Sequence, residues 1–261
     1  ERSWAVIAPT AIIDTDAKLA DDVQVGHYSV IGAGVEIGPG TVVGAHVVLE
    51  GPMKIGARNR IFPFAYLGGI PQDISFRGET SRVEIGDDNT IREYVTIHRG
   101  TEKQDCVTRI GNRNLIMGYV HIAHDCTIGN HCILANAVQM AGHVVMEDYA
   151  SLGGMVAVHQ FVKIGRYCFV GGFTPITQDV LPFSLVAGER ARLRGVNKIG
   201  LQRKGFDVQQ RGRIHKAMRY LMNPEMKTST AVERIRNEFG DDPDIREIVD
   251  FVQSSSRGIT L

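Results

Sequence analysis

Aliphatic residues recur every six positions at Ile7, Ile13, Leu19, Val25, Ile31, Ile37, Val43, Leu49, Ile55, Ile61 and Leu67. The register returns at Ile85, Ile91 and Ile97 and slips by one extra residue. It then runs from Ile110 through Ile116, Ile122, Ile128, Leu134, Met140, Met146, Leu152, Val158, Ile164 and Val170 to Ile176. No α-helix accommodates this period, because a helical apolar stripe repeats at about 3.6 residues, and a hairpin sheet would not hold one register for so long. The period fits a parallel β-helix: each hexad is one short strand plus a turn, three hexads close a coil, and the aliphatic residues stack in inward columns.

Two stretches break the rule with polar residues, 69–82 (GIPQDISFRGETSR) and about 99–109 (RGTEKQDCVTR), and are expected to be loops thrown out from the coils. Loops on a rigid scaffold are where binding residues concentrate. Beyond about Pro182 the clock stops and the pattern turns helical, with segments at VNKIGLQRKGF, near Val208–Met222, near Ser229–Phe239 behind a Thr/Ser cap, and over Asp244–Gln253. The expected organisation is mainly β: a β-helix over 1–188 and a small α-helical domain over 189–261.

The 29 basic and 29 acidic residues cancel, which argues against nucleic-acid or bulk membrane affinity. No apolar run is long enough to span a membrane, and the opening ERSWAVIAPT lacks the pattern of a signal peptide, so a cytoplasmic protein is expected. Four cysteines form no CxxC pair. Cys126, Cys132 and Cys168 all fall at the fifth hexad position, where other coils carry Val, Ala or Thr, and read as packing residues. The charge is unevenly spread. Between Arg190 and Arg219 stand ten basic residues and one acid, Asp207, a local balance of 10 − 1 = +9 that fits an acidic protein partner.

The segment HIAHDCTIGNH, from His121 to His131, concentrates three of the nine histidines. The hexads that begin at Ile97, Ile122, Met140 and Val158 stack on one edge of the prism and carry His98, His124, His143 and His159, with His121 at the hexad boundary. Gly142 is placed directly above His124, and Gln160 directly above Gly142. Three readings compete: solvated turn histidines, a metal site, and a general base. Imidazole is the commonest metal ligand, yet the pocket positions hold an aspartate, a glutamine and a glycine and offer no second thiolate. For a base, Asp125 supplies an orienting carboxylate, and the side-chain-free Gly142 lets an amide approach a developing oxyanion. A β-helix without chemistry, serving only as a rigid scaffold, is the rival from another class.

The stretches Gln72-Asp73, RVEIGDDNTIREYVTIHRGT, HIAHDCTIGNHCILAN, AGHV, GGMVAVHQF and GVNKIGLQRKGF resemble the UDP-N-acetylglucosamine O-acyltransferases that begin lipid A synthesis, and the likeness covers nearly the whole chain. The resemblance implies a left-handed parallel β-helix, a homotrimer with active sites between subunits, and no metal or organic cofactor. By it, His124 is the catalytic base, Asp125 its partner and Gly142 the oxyanion amide. Gln72, Asp73, His98, His121, His143, His159 and Gln160 bind substrate, and Asn197 and Arg203 reach the nucleotide. The implied donor is a hydroxyacyl thioester of acyl carrier protein, and the acceptor is the 3-hydroxyl of UDP-N-acetylglucosamine. Two departures stand out. The family's lysine two places after the first-loop aspartate is here Ser75, with Arg77 close by, which leaves a 3-amino sugar analogue open as acceptor. Gly188 and Glu189, followed by Arg190, replace the family's usual GN, which leaves the acyl length open.

Overall fold

The computed structural model describes residues 7–261. Strands of two to four residues wind into a triangular prism, and each pairs in parallel with the strand one coil away. Face 1 has nine strands, from Ile12–Ile13 to Pro175–Ile176. Face 2 has eight, from Lys18–Leu19 to Lys163–Ile164. Face 3 has ten and begins at Gln24–Val25. The hexad aliphatics pair as their spacing predicts: Ile13↔Ile31, Ile31↔Leu49 and Met140↔Val158 each lie one coil apart. Ile31, Leu49, Leu67, Ile97, Ile122 and Met140 are fully buried in this way. Each contributes roughly 1.5–3 kcal/mol of apolar burial.

The two loops leave the prism at the junction of faces 1 and 2. Leu67 pairs with Ile97, so 97 − 67 = 30 residues separate neighbours that elsewhere stand 18 apart, and the first loop absorbs the extra 12. Ile97 pairs with Ile122 across 25 residues, so the second absorbs 7. The second loop is shorter than its sequence suggests. Val107–Ile110 is already strand, because Arg82↔Val107 and Val83↔Thr108 extend the pairing beyond the hexad core.

From Tyr28 onward most corners turn through a residue with φ near +60°, among them Tyr28, His46, Phe64, Tyr94, Asp125, His143 and Phe161. This conformation costs a non-glycine residue roughly 1 kcal/mol. Stacking between coils offsets it: Tyr28, His46, Phe64, Tyr94 and Tyr119 form one continuous ring stack at 4.9–5.1 Å. At the corner of faces 2 and 3 the fifth hexad position carries a ladder that the sequence did not announce. Asn59, Asn89 and Asn114 pass hydrogen bonds from coil to coil, and Cys132 continues the column by donating its amide to Asn114 at 2.7 Å. Cys126, Cys132 and Cys168 are wholly buried. Burial pushes the first two thiols up to about 12 and Cys168 higher still, so they pack rather than react.

Face 3 ends in a hairpin, Ser184–Ala187 against Arg192–Val196, the one antiparallel pairing among the described residues. Four helices follow: α1 (Lys198–Arg203), α2 (Val208–Leu221), α3 (Thr228–Phe239) and α4 (Pro243–Ser254). Asp207 and Gln210 close a capping box on α2. The Thr/Ser cap expected for α3 is not made: Lys227 occupies the N-cap without a side-chain bond, and Thr228 and Ser229 lie inside the helix. The helices pack on the β-helix through Arg166, which reaches Asp244 at 3.4 Å and pairs with Glu247. Among the described residues no helix is long and apolar enough to cross a membrane.

Candidate active site

The corner between faces 1 and 2 gathers most of the candidate residues. His124 follows the face 1 strand His121–Ile122, and Asp125 occupies the left-handed corner position. Its φ of 60° is that of Tyr94 or Phe161 at equivalent corners, so the coil geometry, and not functional strain, sets it. The wholly buried Asp125 carboxylate accepts from His124 Nδ1 at 2.8 Å. It also takes the Thr101 amide (2.8 Å) and the Thr101 hydroxyl (2.6 Å). Burial alone would raise this carboxyl, but the bonds from His124 and Thr101 outweigh it and hold Asp125 below the usual carboxylate range. An ionised carboxylate only accepts, so His124 Nδ1 carries a proton, and in the neutral ring the lone pair is then on Nε2.

One coil above, Gly142 lies over the imidazole. A Cβ built on it would stand 2.5 Å from His124 Cε1 and 2.7 Å from Nε2. Its φ is not left-handed, so glycine is needed here for space and not for the turn. Among the described residues its amide N–H donates to no backbone acceptor. His143, at the next left-handed corner, meets His124 edge-on at 5.1 Å and stacks on Phe161 at 4.4 Å. Burial, opposed by Asp125 and helped by His124 and Lys103, lowers the His143 pKa. His98 and His121 form a second edge-on pair at 4.9 Å. Burial pushes His98 down to about 4 and lowers His121, and the Nδ1 of His98 is buried without a partner.

The histidines therefore do not form one column. Their coils stack in the expected register, but the side chains leave from the second, third and fourth positions of their hexads. His159 stands apart and exposed, with its Nδ1 on the Gln160 carbonyl. Gln72 and Gln160 are exposed at the rim. In the first loop Asp73 accepts from the Ser75 amide and hydroxyl, each at 2.8 Å, and from Lys103 Nζ at 2.6 Å. Asn197 and Arg203 are not brought to this corner. Asn197 caps α1, accepting from Gly200 and donating to the Tyr167 carbonyl, on the edge between faces 2 and 3. Arg203 lies exposed in the last turn of the same helix.

Thr101, Lys103 and Gln104 are the residues that sequence reasoning missed. Gln104 Oε1 pairs with His143 Nδ1 at 3.1 Å, so one short loop touches Asp125, Asp73 and His143. Only the loop's position in the interrupted register hinted at it. His124, Asp125 and His143 offer donor atoms within 4.8 Å of one another, the spacing of a metal triad. Thr101 and His124 fill three of the roughly four acceptor directions of the Asp125 carboxylate, and both Nδ1 atoms are engaged, so the trio fits an oriented base better than a resident ion.

Residues 16–51 and 108–142 match the family described as bacterial transferase hexapeptide (six repeats), and 179–260 match the second domain of UDP N-acetylglucosamine O-acyltransferase. The acyl-[acyl-carrier-protein]--UDP-N-acetylglucosamine O-acyltransferase of Syntrophobacter fumaroxidans is 50% identical over 254 residues, 97% of this chain and 98% of that protein. The chain belongs to the UDP-N-acetylglucosamine O-acyltransferase family. The relative of the same name from Thermodesulfovibrio yellowstonii is 46% identical, again over 97% of this chain and 98% of its own. The crystal structure of the family member from Moraxella catarrhalis superposes with a TM-score of 0.95 at 39% identity, covering 98% of this chain and all of that one. The protein is thus an acyltransferase built as a left-handed parallel β-helix with a C-terminal helical region.

Proposed function

We propose that this chain transfers a hydroxyacyl group from acyl carrier protein to the 3-hydroxyl of UDP-N-acetylglucosamine, with His124 as general base. The observation that carries the mechanism is the fixed His124–Asp125 dyad beneath an unengaged Gly142 amide. His124 Nε2 removes the acceptor proton as the oxygen attacks the thioester carbonyl, and Asp125 stabilises the imidazolium. The Gly142 N–H donates to the oxyanion. Collapse expels the carrier's thiolate, which takes the proton back from His124. His124→Ala is expected to lower kcat by roughly 10² to 10⁴ with KM values changed much less. A variant that assembles normally and keeps most of its turnover would sink the assignment.

The active form is proposed to be a homotrimer, on the evidence of the surface. Face 2 presents alternating charges outward, Lys18, Glu36, Lys54, Glu84 and Arg109, as a solvated face does. The edge between faces 3 and 1 instead exposes Tyr28, Phe64, Tyr94, Tyr119, Met155 and Phe173, and Val42, Ile133 and Phe169 stand outward on face 3. Three prisms with that edge toward a threefold axis set face 1 of one protomer against face 3 of the next. The His124 corner then adjoins the neighbour's edge between faces 2 and 3, which carries Asn197 and Arg203. That arrangement accounts for two residues the single chain leaves far from its own site.

The basic segment is partly neutralised within the chain. Arg213 pairs with Asp242 at 2.7 Å and Lys216 with Glu238. Arg211, His215 and Arg219 line α2 at four-residue spacing with no acidic partner among the described residues, and Arg211 is held in place by the Asp207 and Lys198 carbonyls and Gln202 Oε1. Lys198 of α1 is close enough, with Arg219, to lower the His215 pKa, although burial is the larger cause. This stripe is the proposed docking surface for the acidic carrier protein.

A further inference from the structure

We propose that Lys103 is a positioning residue for the acceptor: its ammonium, delivered from the second loop, holds the Asp73 carboxylate and supplies the cation that the first loop lacks at Ser75. The inference rests on the nucleotide-sugar reading of the site given above.

The first loop has one cation of its own near Asp73, and it is turned away. Arg77 folds its guanidinium onto the carbonyls of Ile74 and Phe76, at 2.8 and 3.2 Å, and gives its amide to Glu79. Ser75 contributes an amide and a hydroxyl to one oxygen of Asp73 but no charge. The other oxygen takes Lys103 Nζ at 2.6 Å, across thirty residues of sequence. An exposed lysine–carboxylate pair is ordinarily worth little. This one differs in its anion. The Asp73 side chain is only 8% exposed, whereas that of Lys103 is 49% exposed. The Lys103 bond, with those from Ser75, holds the carboxyl well below its usual range against burial, so Asp73 stays ionised and fixed.

Two consequences follow from valence. A carboxylate has about four acceptor directions, and three are filled by protein donors, which leaves one for a sugar hydroxyl or amide. An ammonium has three donors, and Lys103 spends one on Asp73, so two face the open side for anionic or carbonyl oxygens of the acceptor. The same loop holds Asp125 through Thr101 and His143 through Gln104. Lys103 therefore sets the acceptor's grip in the frame that sets the base.

The test is steady-state kinetics on the assembled protein, with UDP-N-acetylglucosamine and a hydroxyacyl carrier protein varied separately. Turnover by the unaltered chain checks the nucleotide-sugar reading independently of Lys103. Lys103→Met is expected to raise the KM for the nucleotide sugar about tenfold, the worth of one charge-assisted bond, with kcat and the KM for the carrier nearly unchanged. Lys103→Arg should recover most of the loss. Ser75→Lys in the Lys103→Met background should recover it too, by returning the cation to the first loop. An unchanged KM for the nucleotide sugar in Lys103→Met overturns the proposal. So does a rise in both KM values, or a defect that neither cation rescues, since Lys103 would then be only a structural tie between loops.

Discussion

Gly142→Ala isolates the geometry of the dyad without removing any of its atoms. The added methyl would lie 2.5 Å from His124 Cε1, 2.7 Å from Nε2 and 3.0 Å from Nδ1, against an ordinary contact of about 3.5–4.0 Å between carbons. The imidazole must therefore retreat by about 1 Å. It cannot do so freely, because Nδ1 is tied to a buried Asp125 and His143 closes the side of the ring. A misplacement of about 1 Å in a positioned group costs on the order of 10²-fold in rate, so kcat should fall by about 10² while both KM values change little. Stability should fall by about 1–3 kcal/mol, the usual cost of overpacking, with no added backbone strain because the glycine is not left-handed. The assay is a full kinetic matrix beside a thermal melt of the same preparations. Retention of more than half of kcat would refute the reasoning. It would mean that His124 has room to spare, and that Gly142 serves neither clearance nor the oxyanion.

Thr101→Val removes the hydroxyl on Asp125 but keeps the amide bond, and kcat should fall about tenfold with the acceptor KM preserved, as steady-state kinetics will read. Glu247 gives a pH test at the seam between β-helix and helices. Burial, opposed by Arg166 and reinforced by Glu147 and Asp244, holds its carboxyl up to about 7 from 4.5. The stability it contributes is complete below 4.5 and is lost as pH rises through about 7, so Glu247→Gln should melt higher than the parent at pH 8 and not at pH 5, by up to about 3 kcal/mol. His98 runs the other way: neutral down to about 4, its contribution is present above 6.5 and lost as pH falls, and His98→Gln should flatten the loss of melting temperature between pH 6.5 and 4. Under the proposed trimer, Ile133→Glu, on the outward apolar strip of face 3, should give monomer in sedimentation velocity and abolish turnover, because each site would lose the Arg203 that the proposal draws from a neighbour. Arg219→Glu should raise the KM for the carrier and weaken its salt dependence, whereas Arg213→Glu should chiefly destabilise by breaking the pair with Asp242.

The prism was legible because its rule is one-dimensional. A strict period assigns every aliphatic residue a column, and the observed pairs Ile31↔Leu49 and Ile122↔Met140 follow from counting alone. Counting fails where the period does. The hairpin at Ser184–Ala187 and Arg192–Val196 lies beyond the last hexad, and its antiparallel register comes from closing the end of face 3. The asparagine ladder was hidden because a buried Asn is indistinguishable in sequence from a loop Asn until its coil neighbours are known. The α3 cap was misplaced because a Thr-Ser pair marks a boundary only to within a residue or two.

The site divides along the same line. His124, Asp125 and Gly142 belong to the clock, so the vertical relation between residues 18 apart could be read directly and reappears as an imidazole under a glycine. Lys103, Gln104 and Thr101 belong to an interruption, where no register says which side chain returns to the prism. Their partners are 24 to 39 residues away in sequence. The division has a physical basis. The coil fixes His124 and its clearance to within a side chain's width, because moving either would shift a whole column. The loops, tied in by a few polar bonds, are free to exchange a lysine at one position for a lysine on the facing loop. On the proposal for Lys103, substitution at the acceptor side should therefore be tolerated wherever the cation is restored in space, while at His124, Asp125 and Gly142 the fold offers no second position from which the same atom could be supplied.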